Sequence, residues 1–509
     1  MRAGVAEFLS SSVDYPLVRW SVLVLVGCLV LAGCNAPGGG SVSPQTATPG
    51  ASSPTGSTPT AGDAAATPTA TESVGTDGQT PTAGDQQDGD SATPTTDTGT
   101  ATGGGTAGND ATPTPTPAVP DTPRALAATY DVSVRGGELP TNVSLVFART
   151  ALLLDRPRAT PPSSVQIRSD VGTQAGAVRY PPFFELLGVP PTDETPTYPA
   201  YVASPERIVV NENVTENPAL LEATLAQESV HVVQFREGVD DTLRTELVDG
   251  RVTVDAGYTL TGVLEGTAVY TESVYQRRYQ NATATRIDAL TAAYQNRSDV
   301  GRLSFGIYYF GSRYVRERVD DPSEVWQLYE NPPQTTEELL HGLDPGSEPP
   351  AALTVTAAGD DRWESRPRGR TRLGELFVRG TLATSLNDSV AARGADGWGN
   401  DERLVFAEGP RDPTPGYAWV LRWDDAANAT EFERIAGRYL DETAEPTRVS
   451  SPEGPVDGWE TANATYRLVR VDSRTTVLLA GEPGFVRNAT VTGTAGEYTV
   501  GVAGESDDR

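Results

Sequence analysis

The stretch LLEATLAQESVHVVQF, Leu220 to Phe235, decides the predicted fold because it combines a helical pattern with a candidate site. Its apolar residues recur at helical spacing and form one stripe: Leu221, Leu225, Val232 and Phe235. Asn217 is a good N-cap, Pro218 suits a first helical turn, and Gly238 can end the helix. We therefore predict an amphipathic helix between Asn217 and Gly238.

The same helix carries a sequence close to H-E-x-x-H. Residues i and i+4 lie on one face of a helix, so two histidines there can bind one zinc ion. The glutamate at i+1 then serves as general base toward the metal's water. Here Glu228 and His231 are present, but Gln227 occupies the position of the first histidine. Taken alone, His231 is more simply explained as a hydrogen-bonded residue on a half-buried helix.

Downstream motifs extend this pattern. LEGTAVYTE, Leu264 to Glu272, lies on a second predicted helix, and Pro332 to His341 reads PPQTTEELLH. Two later segments, GWGNDERL from Gly397 and WDDAANATEF from Trp423, complete the series. In this series the chain resembles the gluzincin-type zinc metallopeptidases and a related group of secreted peptidase-like proteins, over about residues 124 to 481.

The resemblance implies a zincin-like fold and a role for each matched residue. Glu228 would be the catalytic base, His231 and Glu265 would be metal ligands, and Gln227 would stand at a degenerate ligand position. A neutral amide binds zinc far more weakly than an imidazole, and catalytic zinc needs three protein ligands. We therefore expect either no cofactor or weakly bound zinc. His341, the other histidine of the chain, is a poor candidate for the missing ligand because the resembling group has it as well.

The beginning of the chain is typical of an exported lipoprotein. An apolar run from Ser21 to Leu31 precedes LAGC, which resembles a lipobox ending at Cys34. We expect residues 1–33 to be a signal peptide and Cys34 to be lipidated, with an uncleaved anchor as the alternative. Residues 34–123 are rich in Thr, Pro, Gly and Asp, and we expect a disordered tether.

Composition and charge indicate the cellular environment of the protein and the classes of partner it can bind. The chain has 509 residues and a net charge of −29, and all of its 39 basic residues are arginine. Such a composition is typical of a high-salt or GC-rich organism, so we expect a haloarchaeal-type cell membrane with the protein lipid-anchored at its extracellular face. The negative charge excludes nucleic acid as a partner. Eight N-x-S/T sequons favour a glycosylated surface: Asn142, Asn213, Asn281, Asn296, Asn387, Asn428, Asn463 and Asn488.

The folded part is predicted to be α+β. We expect a zincin-like domain over residues 124–349, a smaller α+β part over 350–503 and a tail over 504–509. Strands are predicted at 165–169, in a hairpin over 200–212 and in a pair over 466–481, with a further strand at 417–423. Helices are predicted at 260–279, 306–319 and 373–386, and another ends near Leu440. An edge strand near Ile208 should border the cleft, and Gly397 to Asp401 should form a tight turn.

Three functions remain open at this stage. A degenerate peptidase relative would bind a peptide or surface protein in the cleft without cutting it. An active metal-dependent endopeptidase of the cell envelope is the enzymatic alternative. A structural surface glycoprotein would need no cleft.

Overall fold

The computed structural model describes residues 119–171, 182–189, 198–248, 250–297, 301–360, 362–409 and 414–502. The predicted signal peptide, Cys34 and nearly all of the predicted tether lie outside these ranges. Within them the chain is a mixture of helices and sheets, which confirms the α+β class. No helix in the described ranges is long and apolar enough to cross a membrane.

The first part of the fold contains a four-stranded sheet. Its elements are β1 (Ser133–Arg135), β2 (Ser164–Arg168), β3 (Ala200–Ser204) and β4 (Arg207–Asn211), with helices α1 (Pro123–Ala127), α2 (Val143–Leu153) and α3 (Pro182–Leu186). The strand order is β1-β2-β4-β3. Strands β1, β2 and β4 are parallel, and β3 runs antiparallel to β4. The predicted strand at 165–169 and the predicted hairpin are both confirmed.

The prediction for the edge strand was wrong by one strand. Ile208 lies on β4, where it pairs with Val165 on one side and Val202 on the other. Its side chain is completely buried because β4 is an inner strand. The edge strand on this side of the sheet is β3, the first arm of the hairpin, and β1 forms the opposite edge.

A layer of helices follows the sheet. These helices are α4 (Pro218–Arg236), α5 (Val239–Leu247), α6 (Val254–Gln280), α7 (Arg286–Asn296), α8 (Gly301–Arg316), α9 (Trp326–Glu330) and α10 (Thr336–His341). Helix α4 begins as predicted, because the Asn217 side chain accepts a hydrogen bond from the Leu220 amide at 3.1 Å. Helix α8 begins and ends earlier than predicted.

Helix α6 begins six residues before the predicted start at Leu260. Thr253 caps it by accepting a hydrogen bond from the Ala256 amide at 3.1 Å. The first turn contains Asp255, a polar residue that the apolar pattern excluded. The Asp255 carboxylate is buried and accepts hydrogen bonds from the Thr336 amide at 2.9 Å and the Thr336 hydroxyl at 2.7 Å. This polar contact fixes the start of α10 against the start of α6.

Helices α6 and α8 approach each other through glycines. A Cβ atom on Gly311 would lie 2.1 Å from the carbonyl oxygen of Gly262, and one on Gly266 would lie 2.4 Å from the backbone of Gly311. Only glycine, which has no Cβ atom, permits the backbones of the two helices to lie this close together. Glu265, the residue before Gly266, is therefore held in place by the backbone packing of its helix.

The last part of the fold is dominated by antiparallel strands. Its elements are β5 (Thr354–Ala358), β6 (Glu364–Ser365), α11 (Glu375–Leu382), α12 (Asp388–Ala395), β7 (Trp398–Ala407), β8 (Gly416–Trp423), α13 (Ala426–Thr443), β9 (Glu445–Ser451), β10 (Gly454–Glu460), β11 (Thr465–Asp472), β12 (Thr475–Gly481), α14 (Pro483–Asn488), β13 (Ala489–Thr494) and β14 (Glu497–Val502). Seven strands form one antiparallel sheet in the order β6-β7-β8-β12-β11-β10-β9. A three-stranded sheet has the order β13-β14-β5, with β5 parallel to β14. The predicted pair β11 and β12 and the predicted strand β8 are confirmed.

Two predictions in this part were wrong in detail. The helix predicted over 373–386 is shorter, since α11 ends at Leu382, and α12 was not predicted. Asn387 caps α12 by accepting a hydrogen bond from the Val390 amide at 3.0 Å. The predicted turn at Gly397 is confined to that glycine, which has a φ of 71°. Strand β7 begins at the next residue, Trp398, whose side chain is completely buried.

A buried carboxylate explains why this segment folds as a strand. Asp401 accepts hydrogen bonds from the amides of Leu373 and Gly374 at 2.9 Å and from the indoles of Trp398 at 3.1 Å and Trp419 at 2.8 Å. It thus joins β7 and β8 to the beginning of α11. The main hydrophobic core extends from Val143 to Ala480 and so continues through residue 350.

We predict that Gly311→Ala destabilises the protein by about 1–3 kcal/mol or more, because its methyl group meets backbone that cannot rotate away. Gly437→Ala is the matched control, since Gly437 is also helical but a Cβ atom added there would have no neighbour within 4 Å. The control should stabilise the protein by about 0.5–1 kcal/mol. Denaturant unfolding measures both, and equal effects of the two variants would contradict the close approach of α6 and α8.

Candidate functional site

Helices α4 and α6 lie antiparallel and bring the predicted site residues together. Near the C-terminal end of α4, the Gln234 amide nitrogen donates to the Leu264 carbonyl at 3.0 Å and to the Thr267 hydroxyl at 2.9 Å. At the other end, the Gln280 amide nitrogen donates to the Ala219 carbonyl at 2.8 Å. Gln227, Glu228 and His231 come from α4, and Glu265 comes from α6.

His231 and Glu265 meet at the helix interface. His231 Nε2 lies 3.4 Å from Glu265 Oε2, and both side chains are largely buried. On the other edge of the ring, His231 Nδ1 lies 2.8 Å from Gln234 Oε1. Since the Gln234 amide nitrogen is already used as a donor, its oxygen faces the ring and accepts the Nδ1 proton. The ring is thereby oriented with Nε2 toward the Glu265 carboxylate.

These contacts favour the charged imidazole. Burial alone lowers the pKa of His231, but the carboxylates of Glu265 and Glu228 and the hydrogen bonds to Glu265 and Gln234 outweigh it and raise the pKa to about 9. His231 and Glu265 therefore form an ion pair at neutral pH. A raised histidine pKa contributes stability below 6.5, and this contribution is lost as the pH rises through 9.

The Glu228 side chain lies where α4 packs against the edge strand β3. Glu228 is only 4% exposed, and burial raises the pKa of its carboxyl to about 7. His231 and a hydrogen bond from the Val202 backbone amide lower this pKa, whereas Glu265 raises it. Val202 lies on β3, so Glu228 links the helix pair to the edge of the four-stranded sheet. Burial thus favours the protonated form of this carboxyl.

Gln227 completes the predicted set without matching a zinc ligand. It is 5% exposed, and its amide nitrogen has no hydrogen-bond partner among the described residues. The groups available as metal ligands are one imidazole, one carboxylate and one carboxamide, and this set binds zinc poorly. Within the ranges that the structure covers, no group of three or more His, Cys, Asp or Glu side chains is arranged to hold a metal ion. The residues present do not fit a catalytic zinc.

A further buried carboxyl beside the site, that of Glu272, was not predicted from the sequence. Glu272 lies two helical turns after Glu265 on α6 and is 3% exposed. Burial raises its pKa to about 7, Arg286 at 3.9 Å lowers it, and Glu228 raises it. Its spacing of seven residues from Glu265, which keeps both on one helix face, was the signal in the sequence.

His341 belongs to a separate polar cluster. Its Nε2 lies 2.9 Å from both oxygens of the buried Glu375, and this hydrogen bond raises the pKa of His341. The ring therefore already has a carboxylate partner at the start of α11. Nearby, Glu337 is 6% exposed and has four acidic neighbours: Glu375, Asp424, Glu348 and Asp255. Burial and these neighbours raise the pKa of Glu337 to about 10.

Most of the predicted glycosylation sites lie on the surface. Six of the eight sequon asparagines are exposed: Asn142, Asn213, Asn281, Asn296, Asn387 and Asn463. Asn428 and Asn488 are half-buried. The predicted lipidation site, Cys34, lies outside the described residues.

Comparison with known proteins gives one match. A family model described as "Domain of unknown function (DUF8575)" matches residues 364–490. This region contains the seven-stranded sheet and lies after Gln227, Glu228, His231 and Glu265 in the chain. No curated protein and no solved structure matches the sequence.

We predict that histidine NMR resolves two ring signals, because the chain has only two histidines. The His231 signal should titrate with a midpoint near 9. Glu265→Gln should lower this midpoint by about two or more pH units, on the order of 3 kcal/mol, because burial then acts without its main counter-charge. Glu375→Gln is the control and should shift only His341. A His231 midpoint near 6.5 in the unmodified protein would contradict the ion pair.

We also predict opposite effects for two neighbouring buried glutamates. Glu337 has a pKa raised from 4.5 to about 10, so the stability it contributes is greatest below 4.5 and falls as the pH rises toward 10. Glu337→Gln should therefore increase the free energy of unfolding at pH 8. Glu338 instead accepts hydrogen bonds from the amides of Gln334 at 2.7 Å and Glu348 at 3.1 Å. Glu338→Gln should cost about 1–3 kcal/mol, and two losses of similar size would refute the assignment.

Proposed function

We propose that this chain is a cell-surface lipoprotein with a zincin-like head that is catalytically degenerate and acts as a binding protein. Cys34 would carry the lipid, and residues 34–123 would form the tether between the membrane and the head. The single observation that carries the proposal is the composition of the site on α4 and α6. An imidazole and a carboxylate meet there, and one helical turn before the imidazole stands a carboxamide.

The pairing of His231 with Glu265 supports the loss of catalysis. The two side chains lie 3.4 Å apart and neutralise each other. A protonated imidazole has no lone pair on Nε2 for a metal, and the carboxylate of Glu265 raises the pKa of His231 and so favours this form in the metal-free protein. The ion pair joins α4 to α6 at the helix interface. Binding of zinc would have to displace this proton and separate the pair.

The edge strand supports a peptide as the ligand. Strand β3 pairs only with β4 in the described ranges, and Val202 on this strand is close enough to Glu228 for a hydrogen bond. A peptide in extended conformation can add to such an edge as a further strand. Its backbone would then lie beside Glu228. A protein segment exposed at the cell surface has the required chemistry.

One observation favours the alternative of an active endopeptidase. The pKa of Glu228, about 7, is in the range that suits a general base. The alternative requires a metal ligand that the described residues do not supply. A structural glycoprotein, the third function, is supported only by the eight sequons.

The direct test is the variant Gln227→His. Structural zinc sites bind with about 10–16 kcal/mol over four ligands, so one added imidazole is worth roughly 3 kcal/mol, or more than about a hundredfold in zinc affinity. We expect this gain in a zinc titration by calorimetry on the full protein in molar salt. Gln280→His, which adds a histidine at the far end of α6, is the control and should change nothing. An equal change in zinc affinity for both variants would mean that the side chains of the site do not have the geometry of a zinc site.

A second experiment separates the degenerate protein from the enzyme. The unmodified protein should leave casein uncut with zinc present, and Glu228→Gln should make no difference. Cleavage of casein that disappears in Glu228→Gln would establish the endopeptidase and end the degenerate assignment. A peptide that binds without being cut, and whose binding weakens in Glu228→Gln, would support the proposal.

A further inference from the structure

We propose that a cavity at the start of α6 binds a small oxyanion, a carboxylate or a phosphate, through the guanidinium groups of Arg251 and Arg372. The cavity has a volume of about 290 Å³ and lies between the end of α5, the start of α6 and the start of β7. The polar residues that line it are Arg251, Thr253, Arg372, Asn400, Asp401 and Glu402.

The cavity is separate from the site on α4 and α6. Thr253 lines the cavity and caps the start of α6. Glu265 follows twelve residues later, roughly 18 Å along the helix axis at about 1.5 Å per residue. A ligand in this cavity is therefore distinct from the peptide proposed for the cleft, and its binding does not depend on the proposed function.

Backbone contacts bring the two arginines to one cavity. The Val254 amide donates a hydrogen bond to the Thr371 hydroxyl at 3.1 Å, and the Asp255 amide donates to the Arg372 carbonyl at 3.2 Å. The start of α6 therefore lies beside the segment that precedes α11. Arg251 belongs to the first of these two segments and Arg372 to the second, and both side chains line the cavity.

The acceptor groups in the cavity wall already have donors from the protein. Asp401 accepts hydrogen bonds from two backbone amides and two indoles. Both oxygens of Glu402 accept hydrogen bonds from Arg370, each at 2.7 Å. The Asn400 oxygen accepts from the Asp401 amide at 2.8 Å, and its nitrogen donates to the Ala351 carbonyl at 2.7 Å. The wall therefore has few acceptors left for a cationic ligand.

The Arg372 guanidinium, in contrast, has free donors. Its Nε lies 3.0 Å from Oδ2 of Asp255, which is completely buried and therefore holds the guanidinium in place. The two Nη atoms of Arg372 make no hydrogen bond within the described ranges. A guanidinium presents two parallel N–H groups, and this spacing matches the two oxygens of a carboxylate or phosphate.

Arg251 supplies a second guanidinium. Its Nη1 donates to the Pro367 carbonyl at 2.9 Å, and no acidic side chain in the described part of the chain pairs with it. Arg251 is exposed, so an anion can reach it from solvent. The Thr253 hydroxyl accepts a hydrogen bond from the Ala256 amide at 3.1 Å and can donate its own proton to a ligand.

These groups favour a small oxyanion as the ligand. A volume of about 290 Å³ is at the lower end for small-molecule sites. In molar salt the Debye length is about 3 Å, so the net charge of −29 does not repel an anion at long range. A chloride ion has one acceptor atom and cannot match two parallel N–H groups as an oxyanion does. The oxyanion therefore has an advantage over chloride in the cavity.

The test is calorimetric titration of the full protein with sodium phosphate and with sodium succinate in molar sodium chloride. We expect one site per chain for at least one of the two anions. Binding of phosphate alone would assign a ligand that carries a phosphate, and binding of succinate alone would assign one that carries a carboxylate. Comparable binding of both would assign a general oxyanion site.

Two variants test the role of the arginines. Arg251→Gln leaves the ion pair of Arg372 with Asp255 intact and should weaken binding about tenfold or more. Arg372→Lys keeps a positive charge beside Asp255 but loses the parallel N–H groups, so it should weaken binding by a similar factor. Denaturant unfolding checks that each variant is folded. If Arg372→Lys does not fold, Arg251→Gln decides the outcome.

Arg393→Gln is the matched control. Arg393 is also exposed and donates to a backbone carbonyl, that of Ser389 at 3.2 Å, but it lies on α12, outside the cavity wall. This variant should bind the anion as the unmodified protein does. The assignment is overturned if neither anion gives more heat than added sodium chloride, or if Arg251→Gln and Arg393→Gln change the affinity equally.

Discussion

The ion pair between His231 and Glu265 is the contact on which the proposed loss of catalysis depends. Its two atoms lie 3.4 Å apart inside the interface of α4 and α6. Buried charges are costly unless they are paired and hydrogen-bonded. The imidazole meets this condition through Glu265 on one side and Gln234 on the other, and Gln234 in turn binds Leu264, Thr267 and Tyr329. Loss of either charged partner would leave the other buried alone.

The surrounding backbone keeps this pair in register. Helix α6 is pressed against α8 at Gly262, Gly266 and Gly311, where no side chain would fit. Asp255 at the start of α6 holds the first turn of α10, and Asp401 holds the start of α11 against β7 and β8. In each case a small or polar residue that contributes little to apolar burial fixes the position of a whole helix. The site is therefore supported from outside by contacts that the apolar pattern does not reveal.

The difference between apolar burial and contacts made by small or polar residues explains which elements the sequence predicts well. Helix α4 is predicted within a few residues because Asn217 and Pro218 are strong start signals and the apolar stripe is regular. The predicted start of α6 is too late because Asp255 is buried for its hydrogen bonds and not for apolar contact. Helix α12, which follows the cap at Asn387, was missed because its buried face consists mostly of Ala and Gly. The edge strand is assigned to the wrong arm of the hairpin because strand order depends on contacts distant in sequence.

The contacts of the candidate site could also be predicted only in part from the sequence. The proximity of His231 to Glu265 follows from a resemblance and not from spacing, because the two residues lie on different helices. Glu272 was missed, although it lies on the same helix face as Glu265. The hydrogen bond between Glu228 and Val202 depends on the packing of α4 against β3, which no local pattern encodes. Electrostatic coupling among these groups becomes visible only when the helices are assembled.

In the proposed function, an ion pair takes the structural place of a metal ion in a peptidase-like head. The most direct test is the metal content of the unmodified full protein, purified without chelators and dialysed against molar salt with zinc at micromolar concentration. We expect far less than one zinc per chain, and the same content in His231→Ala. One zinc per chain that is lost in His231→Ala would contradict the proposed function.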